Sequence, residues 1–307
     1  MEVIGNPSIE FWEEVVSKCE CATFYHTYLW SKVLAEAYPI YEVCPKGFIF
    51  DDGTKALIPI LRSKSKGFFK QRHRLKSLPF GFYGGPIYTG SWSDEKNKEL
   101  YSYFNSRKIS FHIESNPFFG YDLPDYFHKS QVATYVIRLD RSVDELWKQL
   151  SSGHRKSVKK ALKMGVKVRK ATSREEYEAY YNVYQDTLKR WGDNTIISYP
   201  HSFFLKLLES QYDFVTLWLA ELGDKIIAGI IMLYWNKVAY AWHGCSLASF
   251  AKYHPNNLLN WSMIQDALNK NYQFYDFGPS GKLKGVEDFK RHFGAERILF
   301  TRGHLRV

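Results

Sequence analysis

Near its C-terminal end the chain reads Tyr275-Asp276-Phe277-Gly278, and a few residues on Gly285-Val286-Glu287-Asp288-Phe289-Lys290-Arg291-His292-Phe293-Gly294-Ala295-Glu296. An aromatic run closing on Asp and Gly marks a strand, Phe274–Phe277, that ends in a turn. Val286–Phe293 has helical spacing, Gly294 suits the helix end, and Arg297–Thr301 then reads as a last strand. Working back toward the N-terminus, Pro255–Asn269 is a helix with Leu258, Leu259 and Ile264 among its apolar positions. Val238–Gly244 is a strand, and Phe214–Glu221 and Lys225–Tyr234 alternate around the hairpin signal Gly223-Asp224. Pro200 opens a helix through Leu208, and Ser173-x-x-Glu176 is a capping box that opens a longer one to Arg190. A basic helix runs from His154 to Met164 and stops at Gly165, preceded by a second capping box, Ser142 to Glu145, and a strand Thr134–Leu139.

The first half follows a similar order. Asn6-Pro7-Ser8 starts a helix whose stripe is Phe11, Trp12, Val15 and Val16, and Tyr28–Leu34 forms a second. Gly47–Phe50 and Lys55–Leu61 are strands joined by Asp51-Asp52-Gly53, a hairpin turn. Leu78–Tyr88 is glycine-rich, Ser93–Arg107 is helical and Ile109–Ile113 extended. The fold class expected is α+β, a mixed α/β chain of two halves, each a mostly antiparallel mixed sheet flanked by helices.

The 307 residues suffice for two domains, and 45% hydrophobic content supplies their cores. The net charge of +10 favours anionic partners: nucleic acid, phosphorylated metabolites or acidic lipid. Cys19, Cys21, Cys44 and Cys245 lack zinc spacing and read as reduced thiols, and neither a His-Glu-x-x-His nor a Gly-x-Ser-x-Gly motif occurs. No apolar run is long enough to span a bilayer and the first residues do not read as a signal peptide, so a cytoplasmic location is expected, with peripheral membrane contact left open.

The C-terminal stretch quoted above resembles the signature of the FemABX aminoacyltransferases and the related CelD/BioF-like acyltransferases. Trp30 within His26–Leu34, Tyr83-Gly84-Gly85-Pro86, His154–Val168 and Tyr253-x-Pro255-x-x-Leu258-Leu259-x-Trp261 resemble further family motifs, so the similarity spans nearly the whole chain. The resemblance implies tandem acetyltransferase-like (GNAT) domains, 1–139 and 140–296, with the terminal strand 297–307 returning to the first. It implies transfer of an aminoacyl unit from tRNA, or of an acyl unit from acyl-CoA, to an amine of a cell-envelope precursor or amino sugar, with no bound cofactor or metal. The site residues implied are Lys290 for the oxyanion, Phe289 beside it, and Arg190, Trp30, Tyr83, Gly278 and Tyr253 for substrate. Leu34 stands where the family carries a lysine, a departure that weighs against a nucleotide-linked precursor as acceptor.

The residues themselves leave alternatives. Acyl transfer to an amine needs positioning and a charge beside the oxyanion, and a lysine can supply that charge. Lys290 also reads as a solvated helix lysine. Asp276 reads as a catalytic carboxylate or as an Asx turn that stops its strand. Arg155, Lys159 and Lys163 share a helix face at i, i+4 spacing, either tracking a tRNA or phosphate backbone or simply solvated. Arg62–Lys76, with Phe68 and Phe69, reads as a flexible loop tip or as a contact for phosphate or membrane. The other function classes carried are a CoA-dependent N-acyltransferase without the usual pyrophosphate-binding glycine run, and a non-catalytic RNA- or polyanion-binding protein.

Overall fold

The computed structural model describes residues 1–64, 75–80, 82–192, 198–210, 213–281 and 283–306, so Phe68, Phe69 and most of the basic stretch around them lie outside the described residues. The chain divides into two compact units, Met1–Ala133 with Leu299–Val307, and Thr134–Ile298.

The first unit contains β1 (Glu2–Ile4), α1 (Ile9–Lys18), α2 (Tyr28–Ala37), β2 (Tyr41–Val43), β3 (Lys46–Ile49), β4 (Lys55–Ile58), β5 (Leu61–Ser63), β6 (Leu75–Ser77), β7 (Ile87–Tyr88), α3 (Asp94–Ser106), β8 (Phe111–Glu114) and the start of β9 (His128–Arg138). Side-chain oxygens of Ser8, Thr27 and Ser93 accept the first free backbone N–H groups of the three helices, which fixes where each begins. Lys55–Leu61, read from sequence as one strand, is broken at Pro59. β4 pairs with β3 in a sheet ordered β1-β3-β4-β7, whereas β5 pairs with β2 and β6 in another. Pro59 lacks the N–H that a continuing ladder would need. The aromatic core of this unit includes Phe48, Phe104, Phe111 and Tyr101.

The second unit continues through α4 (Val143–Gln149), α5 (Ser152–Lys163), β10 (Lys167–Lys170), α6 (Arg174–Trp191), α7 (His201–Leu208), β11 (Val215–Leu222), β12 (Lys225–Trp235), β13 (Val238–Ser246), α8 (Pro255–Asn269), β14 (Phe274–Asp276), α9 (Lys284–Arg291) and into β15 (Glu296–Leu305). Both capping boxes form: Ser142 with Glu145 opens α4, and Ser173 with Glu176 opens α6. Its strands run in the order β10-β11-β12-β13-β14-β9. All neighbours are antiparallel except β13 and β14, which are parallel. A parallel pair needs a crossover, and α8 supplies it. In the first unit β6 and β8 are likewise a parallel pair, with α3 between them in sequence, and the end of β15 pairs antiparallel with β8. Mixed sheets flanked by helices therefore make up the chain. Leu259, Met263 and Ala267 of α8 pack with Ala228 and Met232 of β12 and Tyr275 of β14 in the second core. Truncating Leu259 to Ala there costs about 2–5 kcal/mol. The short strands β1, β2, β6 and β10 have too few residues to show a period and were not legible beforehand.

Candidate active site

β14 stops where it does because of Asp276. This side chain is fully buried, and its Oδ1 accepts hydrogen bonds from the Thr134 hydroxyl (2.6 Å) and the Gly278 N–H (2.7 Å). The second bond closes an Asx turn, the structural alternative for this residue. Gly278 sits at φ +72°, and a Cβ there would lie 2.4 Å from the Tyr240 hydroxyl oxygen, so the turn demands glycine twice over.

The turn aims two carbonyl oxygens at α9. Lys290 Nζ donates to Gly278 O at 2.8 Å and to Pro279 O at 3.0 Å, and stands 5.7 Å from the Tyr135 ring centre. Lys290 is the one lysine in the buried class among the described residues. Burial pushes its pKa down to about 8, opposed by the nearby Asp276 carboxylate. The gap from the ordinary lysine value corresponds to about 3 kcal/mol against the charged form. The sign follows from linkage. The unfolded chain binds the extra proton between about pH 8 and the ordinary lysine pKa, so across that window the fold gains stability as pH rises. Below pH 8 the buried ammonium is charged. An ammonium has three donors, and two are bonded to carbonyls. The third has no hydrogen-bond acceptor among the described residues.

Beside this corner the parallel pair comes apart. The register of β13 with β14 ends at Tyr240 opposite Asp276, while β13 continues to Ser246 along β12. Opposite β12, Ile231 faces His243 and Met232 faces Ala241, so Trp242 is the extra residue of a β-bulge. The edge of β13 from Ala241 onward is thus without a β14 neighbour. α8 follows from His254, at φ +53°, with Pro255 as its first residue and no side-chain cap.

Asp276, Gly278 and Lys290 are therefore brought together by the fold, and Phe289, Arg190 and Tyr253 of the same unit have other contacts. Phe289 packs its ring against His154 and Phe293, and its carbonyl lies 3.1 Å from His154 Nε2. Arg190 lies in the last turn of α6, 40% exposed, with Nη1 3.4 Å from Ser246 O and 4.0 Å from Asp186. Tyr253 is half-buried beneath the Lys252 ammonium. Trp30 and Tyr83 are both fully buried in the aromatic cluster of the first unit with Tyr25. The Arg155 guanidinium donates to the carbonyls of Lys148 (3.0 Å) and Leu150 and so fastens the end of α4. The exposed row on and after α5 is instead Lys156, Lys159, Lys160, Lys163 and Lys167, none with an acidic partner among the described residues. Thr134, Tyr135, Tyr240 and His154 complete the Lys290 corner and were not singled out from sequence. Thr134 lies 142 residues from Asp276, a separation that carries no local signal.

Comparison with known proteins defines the class. Residues 148–291 match the model of an acetyltransferase (GNAT) domain, which makes the chain an acyltransferase. The match contains the whole run from α5 through the Lys290 helix.

The fold is that of FemX: a crystal structure of FemX superposes with a TM-score of 0.71 at 15% identity, covering 100% of this chain and 98% of that one. L-PGS from Bacillus licheniformis gives 0.61 at 13% identity, with 99% and 94% covered. The C-terminal domain of a putative lysylphosphatidylglycerol synthetase from Agrobacterium fabrum gives 0.60 at 11%, with 97% and 92% covered. At these identities the likeness is one of fold. No curated protein matches the chain in sequence.

Proposed function

We propose that the chain transfers an aminoacyl unit from tRNA to an amine of a cell-envelope precursor, with the Lys290 ammonium holding the oxyanion. The observation that carries this is a desolvated cation, fixed by the Gly278 and Pro279 carbonyls where β13 and β14 part, whose third donor has no acceptor among the described residues. The neutral acceptor nitrogen attacks the ester carbonyl, a C–N bond forms, and the carbonyl electrons move to oxygen. The ammonium stabilises that charge more strongly than it does the uncharged carbonyl, which lowers the barrier. Collapse breaks the C–O bond to the tRNA ribose, whose oxygen takes the proton shed by the attacking nitrogen. Asp276 acts through the turn it closes and through its charge on Lys290. The lysines of α5 that have no acidic partner among the described residues, Lys159 and Lys163 among them, suit a polyanionic donor. Support for an envelope acceptor comes from the similar fold of a protein named as a putative lysylphosphatidylglycerol synthetase.

A second reading, an acyl-CoA donor and an amino-sugar or amino-acid acceptor, draws on the stretch of β13 beyond Tyr240, where pairing with β14 has ended. An extended amide-bearing chain could lie along such a strand. A screen with radiolabelled aminoacyl-tRNA and acyl-CoA against envelope precursors and amino sugars separates the two. Transfer from aminoacyl-tRNA that is lost in Lys290→Ala supports the proposal. Transfer from acyl-CoA alone replaces it with the second reading, and RNA binding without transfer from either donor overturns both.

A further inference from the structure

One buried polar pair in the second unit takes no part in the Lys290 corner. The Tyr180 hydroxyl of α6 lies 2.5 Å from His243 Nδ1 and 2.9 Å from the backbone oxygen of the same histidine. The hydroxyl has one hydrogen for the carbonyl oxygen, which only accepts, and for a ring nitrogen that can accept or donate, with the Cys245 thiol also in hydrogen-bond reach. With that hydrogen on the carbonyl, the ring nitrogen at 2.5 Å donates, the neutral imidazole carries its hydrogen on Nδ1, and Nε2 keeps a bare lone pair. His243 has no other hydrogen-bond partner among the described residues, and the residue as a whole is half-buried.

The surroundings keep that lone pair available. Tyr180 and Tyr184 of α6, Phe204 of α7, Tyr199 and the neighbouring Trp242 wall the ring, with centroids 4.6–5.9 Å away. None is charged, and burial drives the imidazole pKa down to about 3, so the ring stays neutral at any physiological pH. A neutral acceptor in an aromatic setting favours a cationic or N–H-bearing group over an anion. Its position is the second observation. His243 follows the bulge at Trp242, on the part of β13 that has no β14 neighbour, three residues beyond Tyr240, whose hydroxyl meets Gly278 of the lysine turn.

We propose that His243 Nε2 accepts a hydrogen bond from the substrate's amino group and orients that nitrogen for attack, with Tyr180 as the positioning residue that fixes the tautomer. The chemical class of ligand is a primary amine or ammonium. The assignment rests on the amine-transfer reading above and deepens it, naming the group that recognises the acceptor as Lys290 serves the carbonyl.

The decisive experiment is nitrogen NMR of the full chain labelled in histidine. His243 is expected as the Nδ1–H tautomer, uncharged from pH 5 to 9, and glycinamide should shift its Nε2 resonance while methyl acetate, which has no N–H, does not. Tyr180→Phe should release the ring to the Nε2–H tautomer and remove the response. A wild-type ring carrying its hydrogen on Nε2, or an Nε2 resonance unmoved at saturating glycinamide, overturns the proposal whatever the enzyme's activity. In the transfer assay, His243→Ala should raise KM for the amine about tenfold with a smaller effect on kcat, and an unchanged KM counts against it. A wild-type enzyme inactive with both donors would sink the transfer reading instead, and the spectra would still decide the role of His243.

Discussion

Lys290 and Lys159 carry the same ammonium within one unit, and their settings are opposite. Lys290 is 7% exposed, bonded to two carbonyls, and shifted toward neutrality. Lys159 is exposed on α5, among lysines that lack acidic partners in the described structure. Burial gives the first charge a fixed direction and a low-dielectric environment in which it interacts strongly at short range. Exposure makes the second one part of a diffuse field, screened within about 10 Å at ordinary ionic strength. A charge that assists a bond-making step needs the first arrangement, and a surface that gathers a polyanion needs only the second.

The contrast is broken most forcefully at Lys290. Lys290→Ala should lower kcat by about 10²–10³-fold with the fold preserved by circular dichroism, as for the loss of an oxyanion donor. Activity within twofold of wild type would remove the role. Gly278→Ala comes next. It forces a Cβ into the left-handed region and against Tyr240, and should cost about 2–4 kcal/mol in denaturant unfolding while displacing the carbonyls that hold Lys290. Asp276→Asn keeps an oxygen to accept from Thr134 and Gly278 but removes the charge that favours the ammonium. The alkaline fall in activity should therefore move to lower pH, a shift that a purely structural carboxylate would not produce. The smallest effect belongs to the exposed row. Charge reversal at Lys159 and Lys163 should change unfolding stability by no more than about 0.5 kcal/mol. It should also reduce the salt dependence of tRNA binding by a slope of about 2, one for each lost phosphate contact.

Much of the framework could be read from local signals. Ser142 with Glu145 and Ser173 with Glu176 announced their helices because a capping box is complete within four residues. Asp51-Asp52-Gly53 and Gly223-Asp224 announced hairpins for the same reason, with both glycines at positive φ. The candidate site was only partly legible. Asp276, Gly278 and Lys290 sit close enough in sequence to share one signature, whereas Thr134, Tyr135 and Tyr240 reach them only through the pairing of β9, β13 and β14. Helical spacing places Arg155 on one face with Lys159, and it carries no signal that the end of the preceding helix offers carbonyls to the guanidinium. Trp30 and Tyr83 are wholly buried, which an aromatic residue in a motif does not reveal by itself.

The account turns on whether the acting form of Lys290 is its ammonium, and the pH dependence of kcat for the wild-type enzyme between pH 6 and 10 tests this most directly. The rate should be level below neutrality, bend near pH 8, and fall about tenfold per pH unit beyond it as the buried ammonium loses its proton. A rate that stays level or rises through pH 10 would contradict the assignment of the oxyanion's partner to Lys290.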